Sequence, residues 1–277
     1  MQKVFSLGGV HIYLFGITIA LGLLCGYLIS NYEVKRRKLD EEIFSSLALI
    51  VILFSIVGAR LYYVLAFNLE YYLANPLEVL MIRNGGMSIQ GGLIGGFLSG
   101  AIYLRSKGAG ILSFADAIVP GLAFGQFVGR IGCDVFGVPM KTPYPWGIFF
   151  NGSWVHPVQI YEALLNLALF TYLWRRKHTT QSHGILATEY IVGFGIIRGA
   201  IEFFRVNPIW IGTLTVAHLT SLIMIGIGIA LNLFIRRAYP DSITATKKVP
   251  RKQKPQFYIA MVALGIGTTY LFYLIRA

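Results

Sequence analysis

Apolar runs of about 20 residues recur along this chain, each closed by a short polar loop, and they limit its fold more than any motif does. Inside a bilayer the backbone must satisfy its own hydrogen bonds, and a helix does this within one segment. Eight such runs fall at approximately 10–31, 43–66, 88–104, 113–132, 157–174, 186–204, 212–235 and 257–275. The composition agrees: 56% of the 277 residues are hydrophobic and 13% are charged, against about 25% charged in an ordinary soluble domain. The fold class expected is all-α, a polytopic transmembrane helix bundle.

The N-terminus lacks the basic cluster and the small-x-small site of a cleaved signal peptide, so the first run reads as a retained span. Two cysteines, Cys25 and Cys133, do not make a disulfide framework. Leu24 stands where a lipidation box wants a small residue, so Cys25 reads as the interior of an apolar helix.

A net charge of +12 would suggest nucleic acid as the partner of a soluble protein. Here the charge sits in short loops. "VKRRKLDEE", "RSKG", "RRKHTTQSHG" and "RRAYPDSITATKKVPRKQKPQ" are basic, and the loops between them carry few Lys or Arg. Basic loops stay cytoplasmic, which excludes a nucleic-acid reading and places both termini and the 133–156 loop outside. Tyr71, Tyr72, Tyr144, Trp146, Phe149, Phe150, Trp154 and Trp210 lie in the outer loops, where an aromatic belt accounts for most of them. Pro139, Pro143 and Pro145 make the 133–156 loop stiff and non-helical. The basic 238–256 segment suits anionic lipid heads.

Ionisable residues inside the spans are the candidate functional groups, because each is costly there. Arg60 either snorkels or serves a site. Arg130 is flanked by Gly129 and Gly132, a spacing that lets a helix or a ligand approach closely. In "GFGIIRGAIEFFR", Arg198 and Glu202 share a helix face and Arg205 follows three residues later. That run is an internal ion pair holding the bundle, or an anion site in which Glu202 orients an arginine fork for phosphate. "HPVQIYEALLN" adds His156, Gln159, Tyr161 and Glu162 at another helix start, with Glu162 a partner for an arginine. His218, alone on an apolar face, reads as a satisfied packing residue rather than a catalyst. No metal-ligand spacing and no nucleotide phosphate loop is present, and no cofactor is expected.

"RNGGMSIQGGLIGG", "VPGLAFGQFVGRIGC", "HPVQIYEALLN" and "IIRGAIEFFR" occur in the order found in bacterial prolipoprotein diacylglyceryl transferases, which the chain resembles from its first span to about residue 230. The resemblance implies a multi-pass protein of the bacterial cytoplasmic membrane, with its active site toward the outer face. The implied reaction moves diacylglyceryl from phosphatidylglycerol to the lipobox cysteine of a preprolipoprotein, giving a thioether and glycerol phosphate. Phosphatidylglycerol, lipobox-bearing preprolipoproteins and membrane lipids are then the partners. Arg130 matches the arginine held to bind phosphatidylglycerol, with Gly132 beside it, and Arg198 and Glu202 match a second arginine and its carboxylate. Tyr161, Glu162 and Arg205 would support them.

Four positions depart from the family pattern. Gln90 replaces a histidine proposed as a base, and an amide takes no proton at neutral pH. Phe15 and Phe194 replace tyrosines, and Cys133 replaces an asparagine. A span at 257–275 follows the usual seven, so residues 1–236 are expected to form the transferase-like domain and 237–277 a basic loop and an extra helix. Two functions stay open: an active transferase, or a phospholipid- or lipoprotein-binding paralogue with altered or lost activity.

Overall fold

The computed structural model describes residues 3–7, 10–67, 69–82, 85–178, 183–207, 209–212, 214–238 and 253–276. Eight helices of 18 residues or more fall on the eight expected runs: α1 Leu14–Arg36, α2 Glu41–Phe67, α4 Ile89–Ser106, α5 Ile111–Ile131, α6 Val158–Arg176, α7 Ile185–Glu202, α8 Val216–Ala238 and α9 Pro255–Arg276. Short α3 (Leu69–Ala74) and a 3-10 turn (Pro76–Leu80) join α2 to α4. By length and composition, α1, α2, α5, α8 and α9 can each cross a membrane. Helices α4, α6 and α7 are shorter, at 18 or 19 residues.

The first span starts later than its apolar run. Val10–Tyr13 is β2, paired antiparallel with β1 (Lys3–Leu7), so α1 opens at Leu14 rather than at residue 10. Residues 239–252 of the basic segment, and Arg83 and Asn84, lie outside the described residues.

The chain divides into two compact units, Met1–Glu33 with Ala115–Ala277, and Val34–Phe114. In the second unit, Asp40 opens α2 by accepting hydrogen bonds from the Glu42 and Ile43 amides at 2.8 and 3.0 Å. Helices α2 and α4 then meet through glycine. A Cβ on Gly58 would lie 2.5 Å from the Gly91 carbonyl oxygen and 3.0 Å from Gly95 Cα, and one on Gly91 would overlap the Gly58 carbonyl and Tyr62. The opening glycines of α4 are thus a helix-packing surface of the G-x-x-x-G kind.

Arg60 of α2 is 4% exposed. Its guanidinium donates to the carbonyls of Glu78 (2.5 Å), Val79 (2.9 Å), Gly85 (2.6 Å) and Gly86 (3.0 Å), and it sits over the Tyr72 ring. Gly85 and Gly86 have φ of 84° and 76°, a conformation open to glycine, and so turn their carbonyls onto it. Of the two readings of Arg60, the structural one is observed: it organises a connector.

The first unit is built on α5, α6 and α7, whose buried faces meet around Val119, Ala123, Phe127, Ala163, Phe170, Leu186 and Ile201. Helix α1 crosses α5 on another glycine seam, where a Cβ on Gly22 would stand 2.6 Å from the Gly125 carbonyl oxygen. Two polar pins lie at one end of these helices. The fully buried Asp116 carboxylate accepts from the Gly184 and Ala187 amides at 2.9 and 2.8 Å, capping α7. Lys177, at the end of α6, donates to Glu33 of α1 and lies against the Trp174 and Tyr32 rings; both charged residues are buried.

The 133–156 loop is ordered and non-helical, as its prolines require. Hairpin β3 (Ile148–Phe150) and β4 (Ser153–Val155) fills its second half. Residues 137–140 run between this hairpin and the end of α7: Gly137 and Met140 amides donate to the His156 and Trp154 carbonyls, and the Val138 amide donates to Phe204. A third hairpin, β5 (Ile209–Ile211) with β6 (Leu214–Thr215), leads into α8.

Candidate active site

Every candidate group of the first unit except Gly132 and Tyr161 falls into one cluster. Arg130 is on the last turn of α5, Glu162 is in the second turn of α6, and Arg198 and Glu202 are on the last turns of α7. The turn after α7 supplies Arg205, fixed because its backbone pairs with Gly137.

Glu162 and Glu202 form the floor, 2% exposed each. Arg130 Nη2 lies 2.8 Å from Glu162 Oε1, and Arg198 Nη2 lies 3.2 Å from Glu202 Oε2. Arg205 reaches Glu162 Oε2 at 4.0 Å and Glu202 Oε2 at 3.9 Å, too far for a hydrogen bond to either. The guanidinium side chains are 31%, 24% and 17% exposed for Arg130, Arg198 and Arg205. The carboxylates are therefore buried behind cations that face accessible space. Three positive and two negative charges leave a net charge of one positive.

Three polar atoms of the cluster, Arg198 Nη1, Glu162 Oε2 and Glu202 Oε2, are buried without a hydrogen-bond partner among the described residues. Buried groups of this kind are normally satisfied. Gln159, 1% exposed, has both amide atoms in the same condition one turn before Glu162. Burial, then the nearby Arg198 cation, lowers the pKa of Arg205, while Glu162 and Glu202 oppose this. The group stays charged at ordinary pH.

Glu202 is held by more than arginine. Thr215 Oγ1 and Asn207 Nδ2 donate to its Oε1 at 2.7 and 2.6 Å. His218 is the satisfied packing residue expected: it is buried and packs on the Phe203 ring. Its Nδ1 accepts from the Thr215 amide at 3.1 Å, so the neutral ring carries its proton on Nε2. Thr215 precedes α8 and His218 is its third residue, so the side chain reaches back to the amide before the helix, as in a capping box. "TVAH" carried that signal: a threonine, then an acceptor three residues on, before an apolar run.

Gly132 meets α1: a Cβ there would stand 2.9 Å from the Leu14 carbonyl oxygen and would overlap the Thr18 hydroxyl. Of helix or ligand, the neighbour observed is a helix. Tyr161 pairs with His156 Nδ1 at 3.2 Å and packs edge-on to Phe204. Burial lowers the pKa of His156 and so favours its neutral form. Cys133 is buried, with Sγ 3.9 Å from Arg130 Nη1. Phe194 stacks on Tyr190, and Phe15 is half-buried in the first turn of α1. Gln90 belongs to the second unit, where it is exposed and its Oε1 accepts from Ser88 Oγ at 2.7 Å. Among the described residues no group of His, Cys, Asp and Glu is arranged to hold a metal.

A family model described as prolipoprotein diacylglyceryl transferase matches residues 2–234, a span that contains the whole cluster. The phosphatidylglycerol–prolipoprotein diacylglyceryl transferase of Clostridioides difficile is 34% identical over 242 residues, 87% of this chain and 97% of that protein. Proteins of the same name from Finegoldia magna and Bacillus cereus are 32% and 30% identical, over 83% and 84% of this chain and 93% and 90% of their own lengths.

Proposed function

The chain belongs to the prolipoprotein diacylglyceryl transferase family, and on that premise we propose that it moves the diacylglyceryl group of phosphatidylglycerol to the lipobox cysteine of a preprolipoprotein. A bond forms between the cysteine sulfur and the terminal glyceryl carbon. The bond from that carbon to the phosphate oxygen breaks, its electron pair leaves with glycerol phosphate, and the thiol proton passes to a base.

The observation that carries this reading is the trio of outward-facing arginines on two buried carboxylates. Phosphatidylglycerol brings one negative charge, which the cluster's single excess positive charge matches. As the carbon–oxygen bond breaks, charge accumulates on the leaving phosphate. Guanidinium groups already fixed by Glu162 and Glu202 stabilise it without reorganising, which is where such a site gains most of its rate. Arg130, Arg198 and Arg205 are the proposed phosphate ligands. Glu162, Glu202 and Thr215 position them. Tyr161 and Gly132 support the site through His156 and α1. The exposed amide of Gln90, steadied by Ser88, is proposed to hydrogen-bond substrate; it cannot be the base.

The cytoplasmic membrane is the proposed location, with basic loops inside and the cluster toward the outer face, where membrane phosphatidylglycerol and the lipobox meet it. Residues 1–236 are the proposed transferase domain, matched by the family model to residue 234, and 237–277 an appendage.

The test uses purified protein, phosphatidylglycerol vesicles and a lipobox peptide, read by mass spectrometry. The expected product is a peptide one diacylglyceryl group heavier, abolished by Arg130→Ala. An unmodified peptide, beside a curated relative that modifies it, would overturn the proposal in favour of a binding paralogue.

A further inference from the structure

The last helix, α9, lies beyond the region the family model matches. It nevertheless ends on the residues that frame the arginine cluster. We propose that Arg276 of α9 is a positioning residue for Arg130, and that α9 thereby sets how tightly this enzyme holds phosphatidylglycerol; the inference rests on the function proposed above.

Helix α9 packs on α6, with Gly265 against Leu164 and Leu167. Its last turn leaves α6 for the outer loop. Phe272 is fully buried among Ile148, Val155 and Ile160. Tyr273 donates its hydroxyl proton to the Trp146 carbonyl. Arg276 Nη2 donates to the Cys133 carbonyl at 2.9 Å and to Asp134 Oδ1 at 2.8 Å, and Nη1 points at the Ile131 carbonyl at 3.4 Å. Its guanidinium lies 4.1 Å from the centre of the Phe272 ring and its side chain is 7% exposed. One helical turn therefore fastens the loop at both ends, at 133–134 and at 146–148.

The place where Arg276 lands gives the contact its function. Helix α5 ends at Ile131, one residue past Arg130. The final carbonyls of a helix have no partner within it, and a cation among them satisfies both their hydrogen bonding and the helix dipole. Arg276 supplies that cation from a rigid site, braced by an aromatic face and a carboxylate. The same short segment touches Arg130 from the other side, through Cys133 Sγ. Arg276 thus fixes the peptide units from which the Arg130 side chain springs, while Glu162 fixes the far end of that side chain. A guanidinium set at both ends presents its free edge in one direction. Released at its base, Arg130 keeps Glu162 and loses its aim at the phosphate.

Full-length Arg276→Ala, Arg276→Lys and Asp134→Ala proteins are compared with the parent in two measurements. One is transfer, with phosphatidylglycerol and lipobox peptide titrated separately. The other is phosphatidylglycerol binding by native mass spectrometry. The expected result for Arg276→Ala is a raised KM for phosphatidylglycerol and a kcat/KM for it lowered about tenfold, with the peptide KM within about twofold, since Arg130 both binds the phosphate and stabilises the charge that builds on it. Arg276→Lys keeps the charge but not the fork and falls between, and Asp134→Ala moves in the same direction. Weaker phosphatidylglycerol binding should accompany the rise in KM. A lipid KM and lipid binding unchanged in Arg276→Ala would overturn the proposal. So would equal shifts for lipid and peptide, which mark a general structural role. If Arg276→Ala does not accumulate, Arg276→Lys and Asp134→Ala decide by the same criteria. If the parent transfers nothing, the proposed function has failed, and lipid binding alone decides the role of Arg276.

Discussion

Glu202 gathers Arg198, Asn207 and Thr215 on one buried carboxylate, and much of the cluster's order follows from that side chain. Glu202→Gln keeps the shape and removes the charge. Breaking one partner of a buried charge pair costs about 2–5 kcal/mol, so kcat/KM is expected to fall by about 10²-fold, measured in the transfer assay, while the protein remains folded. A fall of less than threefold would show that the arginines hold themselves. The Arg198–Glu202 pair was legible because residues four apart share a helix face. The contacts of Arg130 to Glu162 and of Thr215 to Glu202 were not, because they join helices whose arrangement no local pattern encodes. His218 was legible as a satisfied packing residue, but its partner was not, because that partner is a backbone amide three residues earlier, which a search for clustered side chains passes over.

At the scale of elements, apolar runs of about 20 residues placed the eight long helices of the described residues, five of which are long and apolar enough to cross a membrane. They missed β2, where Val10–Tyr13 pairs with β1 before the helix begins. The glycines of "GGLIGG" were legible as helix entry or close approach, and the structure gives them to α2. Without a hydrophobic force between helices in lipid, such close backbone contact is a main source of adhesion. Gly91→Val should therefore force α2 and α4 apart and lower the thermal midpoint of the detergent-purified protein by several degrees or prevent its accumulation. Gly226→Ala in α8, where a Cβ would meet nothing within 4 Å, should be neutral or stabilising by up to about 1 kcal/mol. Equal midpoints for the two variants would remove glycine packing as the reason for the seam.

For the whole molecule, much of the net charge of +12 lies in short basic loops, and the proposed orientation rests on those loops lying inside. In a background with Cys25 and Cys133 replaced by serine, a membrane-impermeant maleimide added to intact cells should label Asn151→Cys. It should label Arg237→Cys after the membrane is opened. The reverse pattern would invert the proposed topology. The Lys177–Glu33 pin has a consequence for how the molecule is made. Its partners are 144 residues apart in the chain, so at about 5–20 residues per second the ribosome needs roughly 7–30 s to pass from one to the other. Throughout that interval the Glu33 contact with Lys177 cannot form. Until α6 emerges, the end of α1 that carries Glu33 is not pinned to it. Assembly is thereby given an order in time: the first helix inserts early and is locked only when the sixth arrives.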